Sequence, residues 1–400
     1  MSLPRDPSSA ANLSEATVKN ISLIWDVSFE KKSIAASATY DIEFLSDADK
    51  IIFDIRDLDI CDISAPCEAT FTIEDNEFLA QKLLIQFSQK FVKSDNLKFT
   101  LRYNISKNAS ALQFVDAELT SCKKAPFLYS QCEPALARSI VPCMDSPGIK
   151  QTYDATVTVP SNVVCLMSAF STGSKKLREN TITFTFQQPI AIPSYLLAIV
   201  VGALERREIS ERCAIWAEPS LVDAACYEFA ETEKLLNIAE SLLGEYVWTR
   251  YDMVVLPPFF PWGGMENPML TFLTPSIIAG DRSMNLKYSM EKRQIRTMFL
   301  FQFNLGRKAA GIARDMAREP SRHNDGSRNS APGTRALKMT STVVGHSMLT
   351  TTSFSRSQST HNYSRRCRRI KCNVCASFQP PEVDRQKCSM RKTAGTFLIT

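Results

Sequence analysis

The sequence predicts a mainly β protein: a sandwich- or saddle-like β-domain over residues 1–205, a mixed α and β segment over 206–283, and a basic tail over 284–400. Three observations carry this. Short runs of period-two alternation recur up to about residue 205. A helical rhythm replaces them after Arg206. Past Ser283 the charge balance inverts: residues 284–400 hold 22 Lys+Arg and 6 Asp+Glu, a net +16, whereas residues 1–283 hold 25 and 36, a net −11.

The strands come first. In Thr39–Phe44 (TYDIEF), Tyr40, Ile42 and Phe44 share one face, and Ile51–Ile55, Phe99–Tyr103, Ala155–Val159 and Thr181–Phe186 carry similar patterns. Several short strands separated by Asn, Asp, Gly and Pro argue for stacked antiparallel sheets. Glu218–Leu243 then reads as one helix, with Leu221, Ala224, Ala225, Phe229, Leu236, Ile238 and Leu242 in a broad apolar stripe and Gly244 as its stop. Asp252–Leu256 (DMVVL) reads as a buried strand ended by Pro257-Pro258. Met298–Leu305 (MFLFQFNL) is the last apolar cluster. After Pro320, Ser, Thr and Arg dominate without a period. Such a stretch buries too little apolar surface to offset the entropy of ordering it, so the tail is expected to be disordered.

Composition narrows the class. With 44% hydrophobic and 22% charged residues the chain has the make-up of a soluble globular protein. No run reaches the roughly 18 apolar residues of a membrane helix, and Met1–Ser9 lacks a signal-peptide core. The expected location is cytoplasmic, with no membrane partner. The twelve cysteines are then thiols or metal ligands rather than a disulfide framework. The sequons at Asn12, Asn20, Asn104, Asn108 and Asn362 are accidental on the same reasoning.

Two stretches carry chemistry. Pro257–Ser283 reads PPFFPWGGMENPMLTFLTPSIIAGDRS. Glu266 can hold an ammonium by a charge-assisted hydrogen bond. Gly263 and Gly264 let backbone approach a ligand closely and offer amides to it. The second stretch, Gln131–Tyr153, reads QCEPALARSIVPCMDSPGIKQTY. Its Glu133 is a second candidate carboxylate, or simply starts a surface turn before Pro134. Two carboxylates without their cation would repel, and one would titrate high.

Gly263-Gly264-Met265-Glu266-Asn267-Pro268 resembles the exopeptidase motif of gluzincin zinc aminopeptidases, and the flanking LPPxFPxGGMENPxLTFxTP is similar to the leukotriene A4 hydrolase and aminopeptidase B branch. Gln131, Glu133, Arg138, Pro142, Cys143, Asp145 and Pro147 meet the family pattern Q-x-E/Q-x4-R-x3-P-C-x-D-x-P. Tyr195–Arg207, Tyr227–Ala239 and Tyr246–Leu256 extend the likeness, which runs from about residue 15 to Ser283. The resemblance implies a β-saddle domain followed by the start of a thermolysin-like domain. It assigns ammonium anchoring to Glu266 with Glu133 and Gln131, and substrate cradling to Gly263, Gly264 and Met265. Peptide amino termini are the implied ligands. Trp262 stands where such relatives often carry tyrosine; it either reshapes the first side-chain pocket or packs beneath the loop.

The family holds zinc through H-E-x-x-H and a more distant glutamate, which serve metal activation of water. Here the only histidines are His323, His346 and His361; none is followed by glutamate or has another four residues away. Zinc is therefore the family's cofactor, with none expected for this chain, and no catalytic residue can be assigned. The agreement stops abruptly after Ala279–Ser283, as an altered reading frame, retained intron or alternative exon would produce. Cys367, Cys372, Cys375 and Cys388 amid arginines suggest a structural zinc or a nucleic-acid contact. The spacing lacks a knuckle glycine and a second cysteine pair, so neither is expected. Three readings remain: a truncated relative inactive alone, an incomplete or mis-spliced version of an active aminopeptidase or lipid-epoxide hydrolase, and a non-enzymatic module binding peptide termini or a partner. Uncovered apolar surface would favour a chaperone or a full-length homologue as partner.

Overall fold

A computed structural model describes residues 6–75 and 81–279. In chain order the strands are β1 Ala16–Ser28, β2 Ser33–Phe44, β3 Ala48–Ile55, β4 Leu58–Ser64, β5 Ala69–Asp75, β6 Gln81–Phe91, β7 Asn96–Ile105, β8 Leu112–Val115, β9 Phe127–Ser130 and β10 Lys150–Pro160. There follow β11 Val164–Met167, β12 Phe170–Arg178, β13 Thr181–Pro193, β14 Ile199–Gly202, β15 Glu205–Glu208, β16 Cys213–Ala217, β17 Tyr251–Val255, β18 Gly264–Met265 and β19 Leu270–Leu273. Two α-helices, α1 Val222–Glu228 and α2 Thr232–Leu243, lie between β16 and β17.

The alternating segments all fall within strands. A seven-stranded sheet runs β12-β13-β10-β1-β2-β7-β4, and a three-stranded sheet runs β3-β6-β5. Along β2 every second side chain is buried, from Ile34 to Phe44. These chains meet the smaller sheet through rings: Tyr40 lies 4.7 Å from Phe53 and Phe44 stacks 4.6 Å from Phe91, while Phe99, paired with Tyr40 on the neighbouring β7, stacks 5.2 Å from it within the larger sheet. Period-two patterning thus produces two layers sharing an aromatic core, the packing that offset stacked and edge-to-face rings favour. A four-stranded sheet, β11-β14-β9-β8, follows.

The last sheet, β15-β16-β17-β19-β18, is mixed: β16, β17 and β19 are parallel, and β18 returns antiparallel at the edge. Its central strand β17 is one residue displaced from the expected Asp252–Leu256 and is buried at four of five positions, as a parallel strand covered on both faces must be. The hydrophobic core continues without interruption from the first sheets to Leu273. Buried Glu218 reinforces that continuity, its carboxylate accepting from the backbone N–H groups of Ser121 (2.8 Å) and Cys122 (3.2 Å).

The expected single helix is broken. Phe229 is buried, and both the amide and the hydroxyl of Thr232 donate to its carbonyl, at 3.0 and 2.7 Å. A threonine side chain that competes for backbone acceptors in this way ends one helix and starts another. The inward spacing carries on across the break, from Ala225 and Phe229 to Thr232. The inward row of α2 is Thr232, Leu236, Ala239 and Leu243, while Ile238 and Leu242 of the expected stripe are 49% and 77% exposed. Gly244, at φ 91°, closes α2 as expected. No helix among the described residues is long and apolar enough to cross a membrane. The Met298–Leu305 cluster, the tail and its four cysteines lie outside the described residues.

Candidate functional site

The two motif stretches meet. Gln131 leaves the end of β9 with its amide bonded to the Ala111 carbonyl (2.8 Å), and the preceding Ser130 hydroxyl accepts from Ile199 N (3.0 Å). The chain then turns, Leu136 N donating to Cys132 O (2.8 Å). Glu133 is exposed on this turn. Opposite it, Gly264 and Met265 pair with Leu273 and Phe272, and Glu266–Met269 link the two strands. The contact between the stretches is direct: Gln131 Nε2 donates to Met265 Sδ at 3.4 Å.

The supporting shell is aromatic. Tyr129 donates its hydroxyl to Phe259 O (3.4 Å) and meets the Phe260 ring edge-on at 5.7 Å, which fixes the loop leading to the glycines. Thr274 N holds Gly263 O at 3.3 Å. A Cβ at Gly263 would meet no atom within 4 Å, so the space beside it is open. Trp262 is 58% exposed and does not pack beneath the loop. As β18 is the sheet's edge strand, its outer backbone groups pair with no other strand among the described residues, an arrangement that can take an extended peptide.

The electrostatics converge on one spot. Glu266 is half-buried; burial raises its carboxyl, its own backbone amide opposes this, and the charge of Glu133 adds to the rise. Loss of solvent also raises Glu133. Tyr195 is pushed up to about 12, first by burial and then by the negative charge of Glu133 and Glu266. Tyr251, raised mainly by burial, also feels Glu266. The Oε1 atom of Gln131 is buried and accepts no hydrogen bond from the described protein. An unsatisfied buried acceptor costs about 1–3 kcal/mol, and an ammonium would satisfy it. The site therefore assembles acceptors for a cation around an open edge strand.

Zinc does not fit this donor set. No group of three or more His, Cys, Asp or Glu side chains among the described residues could hold a metal. The neighbouring Cys132 thiol is raised strongly by burial, which keeps it from serving as a thiolate.

Residues 18–196 match the model of the peptidase M1 N-terminal domain, and residues 227–298 match the peptidase family M1 domain. The chain belongs to the M1 peptidase family. Leukotriene A-4 hydrolase of Xenopus laevis is 42% identical over 284 residues, which span 70% of this chain and 47% of that protein. Leucine aminopeptidase 2-2 of Meyerozyma guilliermondii is 38% identical over 282 residues, 70% of this chain and 43% of its own. The structure of yeast LTA4 hydrolase in complex with bestatin superposes with a TM-score of 0.67 at 30% identity, covering 76% of this chain and 46% of that one. The chain thus spans less than half the length of these M1 relatives, and the fold of its described part is theirs.

Of the sequence-derived residues, Gln131, Glu133, Met265 and Glu266 come together, with Gly263 and Gly264 beside them. Sequence reading missed Tyr195 and Tyr251. Tyr195 opens the YLLAIVVGALERR stretch, which marks family membership but carries no local pattern that distinguishes a site phenol from a core one.

Proposed function

We propose that this M1-family chain binds the free amino terminus of peptides at Gln131, Glu133 and Glu266, with Gly263, Gly264 and Met265 cradling the first residues, and that the 400-residue polypeptide does not hydrolyse them. One observation carries the binding half: the buried, unaccepting Oε1 of Gln131 stands in a site whose two carboxyls are both raised by burial, Glu266 also by the charge of Glu133. An ammonium supplies that charge and three donors. The second half rests on donor chemistry: three histidines in unsuitable spacing, and no other metal-holding group among the described residues, leave no means to activate water.

On this reading residues 206–283 are the opening of a catalytic domain, the tail is an altered continuation, and the protein acts in the cytoplasm. A full-length homologue or a chaperone is the fitting partner. Among the described residues, six of eleven exposed large hydrophobic side chains (Tyr227, Ile238, Leu242, Val247, Phe259 and Trp262) fall within 227–262, where a partner would cover them. The names of the relatives favour a second reading, that an intact product is an aminopeptidase or a lipid-epoxide hydrolase. An H-E-x-x-H encoded in another frame or exon just past the Ser283 codon would support it.

The test is calorimetric titration of the purified chain with L-leucinamide and with N-acetyl-L-leucinamide, alongside an aminopeptidase assay with and without chelator. Selective binding of the free amine with no chelator-sensitive hydrolysis is expected. Equal affinity for both amides sinks the amine reading, and chelator-sensitive turnover sinks the inactivity.

A further inference from the structure

The second motif has members that stand outside the amine site. Arg138 and Asp145 are both about 1% exposed at their side chains and form an ion pair, Arg138 Nε to Asp145 Oδ2 at 2.8 Å. The Arg138 amide donates to the same oxygen (3.3 Å), and an Arg138 Nη donates to the Asp145 carbonyl (3.2 Å). The other carboxylate oxygen, Oδ1, accepts from Ser194 Oγ at 2.6 Å, also buried. The carboxylate is thus a fork. One prong holds the segment five residues downstream of Glu133; the other holds the residue immediately before Tyr195. A charged acceptor with both oxygens engaged inside a low-dielectric core fixes its donors more firmly than a neutral pair would.

Resting on the amine-binding reading above, we propose that Asp145 is a positioning residue: through Arg138 and Ser194 it sets the placement of Glu133 and the Tyr195 phenol around the bound ammonium. It touches no ligand. Tyr195 is half-buried and directly follows Ser194, so its backbone is carried by the Ser194 prong. A geometric tolerance of a fraction of an ångström at a charged site is worth a large part of its binding.

The experiment uses the full chain and L-leucinamide, with N-acetyl-L-leucinamide as the blocked probe. Ser194→Ala removes one prong and leaves the Arg138 ion pair intact, so the fold survives. Thr232→Val, which removes an equally buried hydroxyl hydrogen bond far from the fork, controls for loss of stability alone. Ser194→Ala is expected to weaken leucinamide binding roughly three- to tenfold, the effect of one mispositioned charge-assisted contact, while Thr232→Val binds as wild type. In a Tyr195→Phe background the Ser194→Ala loss shrinks below about twofold, because the prong acts through that phenol. Wild-type affinity in Ser194→Ala, or a loss carried undiminished into Tyr195→Phe, overturns the positioning role while the discrimination against the acetylated amide stands. Loss of that discrimination in the wild type overturns the amine reading and this inference with it.

Discussion

Gln131 Nε2 lies 3.4 Å from Met265 Sδ, so the end of β9 and the edge strand of the last sheet are joined by the two side chains at the centre of the site. The weak sulfur acceptor takes the amide's donor, and its oxygen remains buried without one. The pair explains why Gln131 and the GGMEN turn, more than 130 residues apart, act as a single feature.

Glu266→Gln should weaken leucinamide binding by about 1.5–3 kcal/mol, or roughly ten- to a hundredfold, the range for a hydrogen bond to a charged group. Glu133→Gln should cost less, because Glu133, though partly desolvated, is the more exposed of the two and solvent screens more of its charge. Titration calorimetry of both variants gives the order. An equal loss would mean the two carboxylates share the cation evenly.

The pH dependence has a definite sign. Both glutamates are raised in the folded protein by burial, and Glu133 adds its charge at Glu266. A raised carboxyl contributes stability that is full below its unfolded value, about 4.3, and is lost as pH rises through the folded value. Glu266→Gln should therefore raise Tm near neutral pH, with the gain closing in acid. Amine binding runs the other way and weakens as pH falls through the raised values. Thermal melts and titrations across a pH series check both directions.

Two glycines separate function from packing. Gly263→Ala places a methyl in open space and should leave stability within about 0.5 kcal/mol, yet obstruct an approaching peptide and weaken its binding. At Gly202 an added Cβ would come 2.4 Å from Cδ2 of Phe127. Gly202→Ala should lose about 1–3 kcal/mol from overpacking. Urea unfolding of both variants, with peptide titration of the first, makes the comparison.

Arg138→Leu leaves Asp145 and Asp54 buried without their cation. The expected loss is about 3–5 kcal/mol, the cost of breaking a buried pair from one side. Urea unfolding measures it; a loss below about 1 kcal/mol would mean that Ser194 and the backbone amides alone satisfy the carboxylates.

Much of the fold is legible in the residues. Alternation in Thr39–Phe44 or Thr181–Phe186 fixes which side chains face inward, since period two leaves no other choice in a one-sided sheet. The helix break was not legible, because a single threonine inside a continuous apolar rhythm marks no boundary until the Phe229 carbonyl is there to receive its hydroxyl. Ile238 and Leu242 are exposed because they lie at the margin of the apolar stripe, off the row Thr232, Leu236, Ala239 and Leu243 that packs inward.

The sequence by itself determined the strand pattern, the GGMENP and Q-x-E stretches with the family they signal, and the spacing of the three histidines. Tertiary structure decided which of those residues share a site. Gln131 finds Met265, Tyr195 finds two glutamates, and Asp145 joins segments that the chain keeps far apart. Local sequence can specify a residue's chemistry and facing, but burial, field and partner arise only when distant segments close on one another and exclude water.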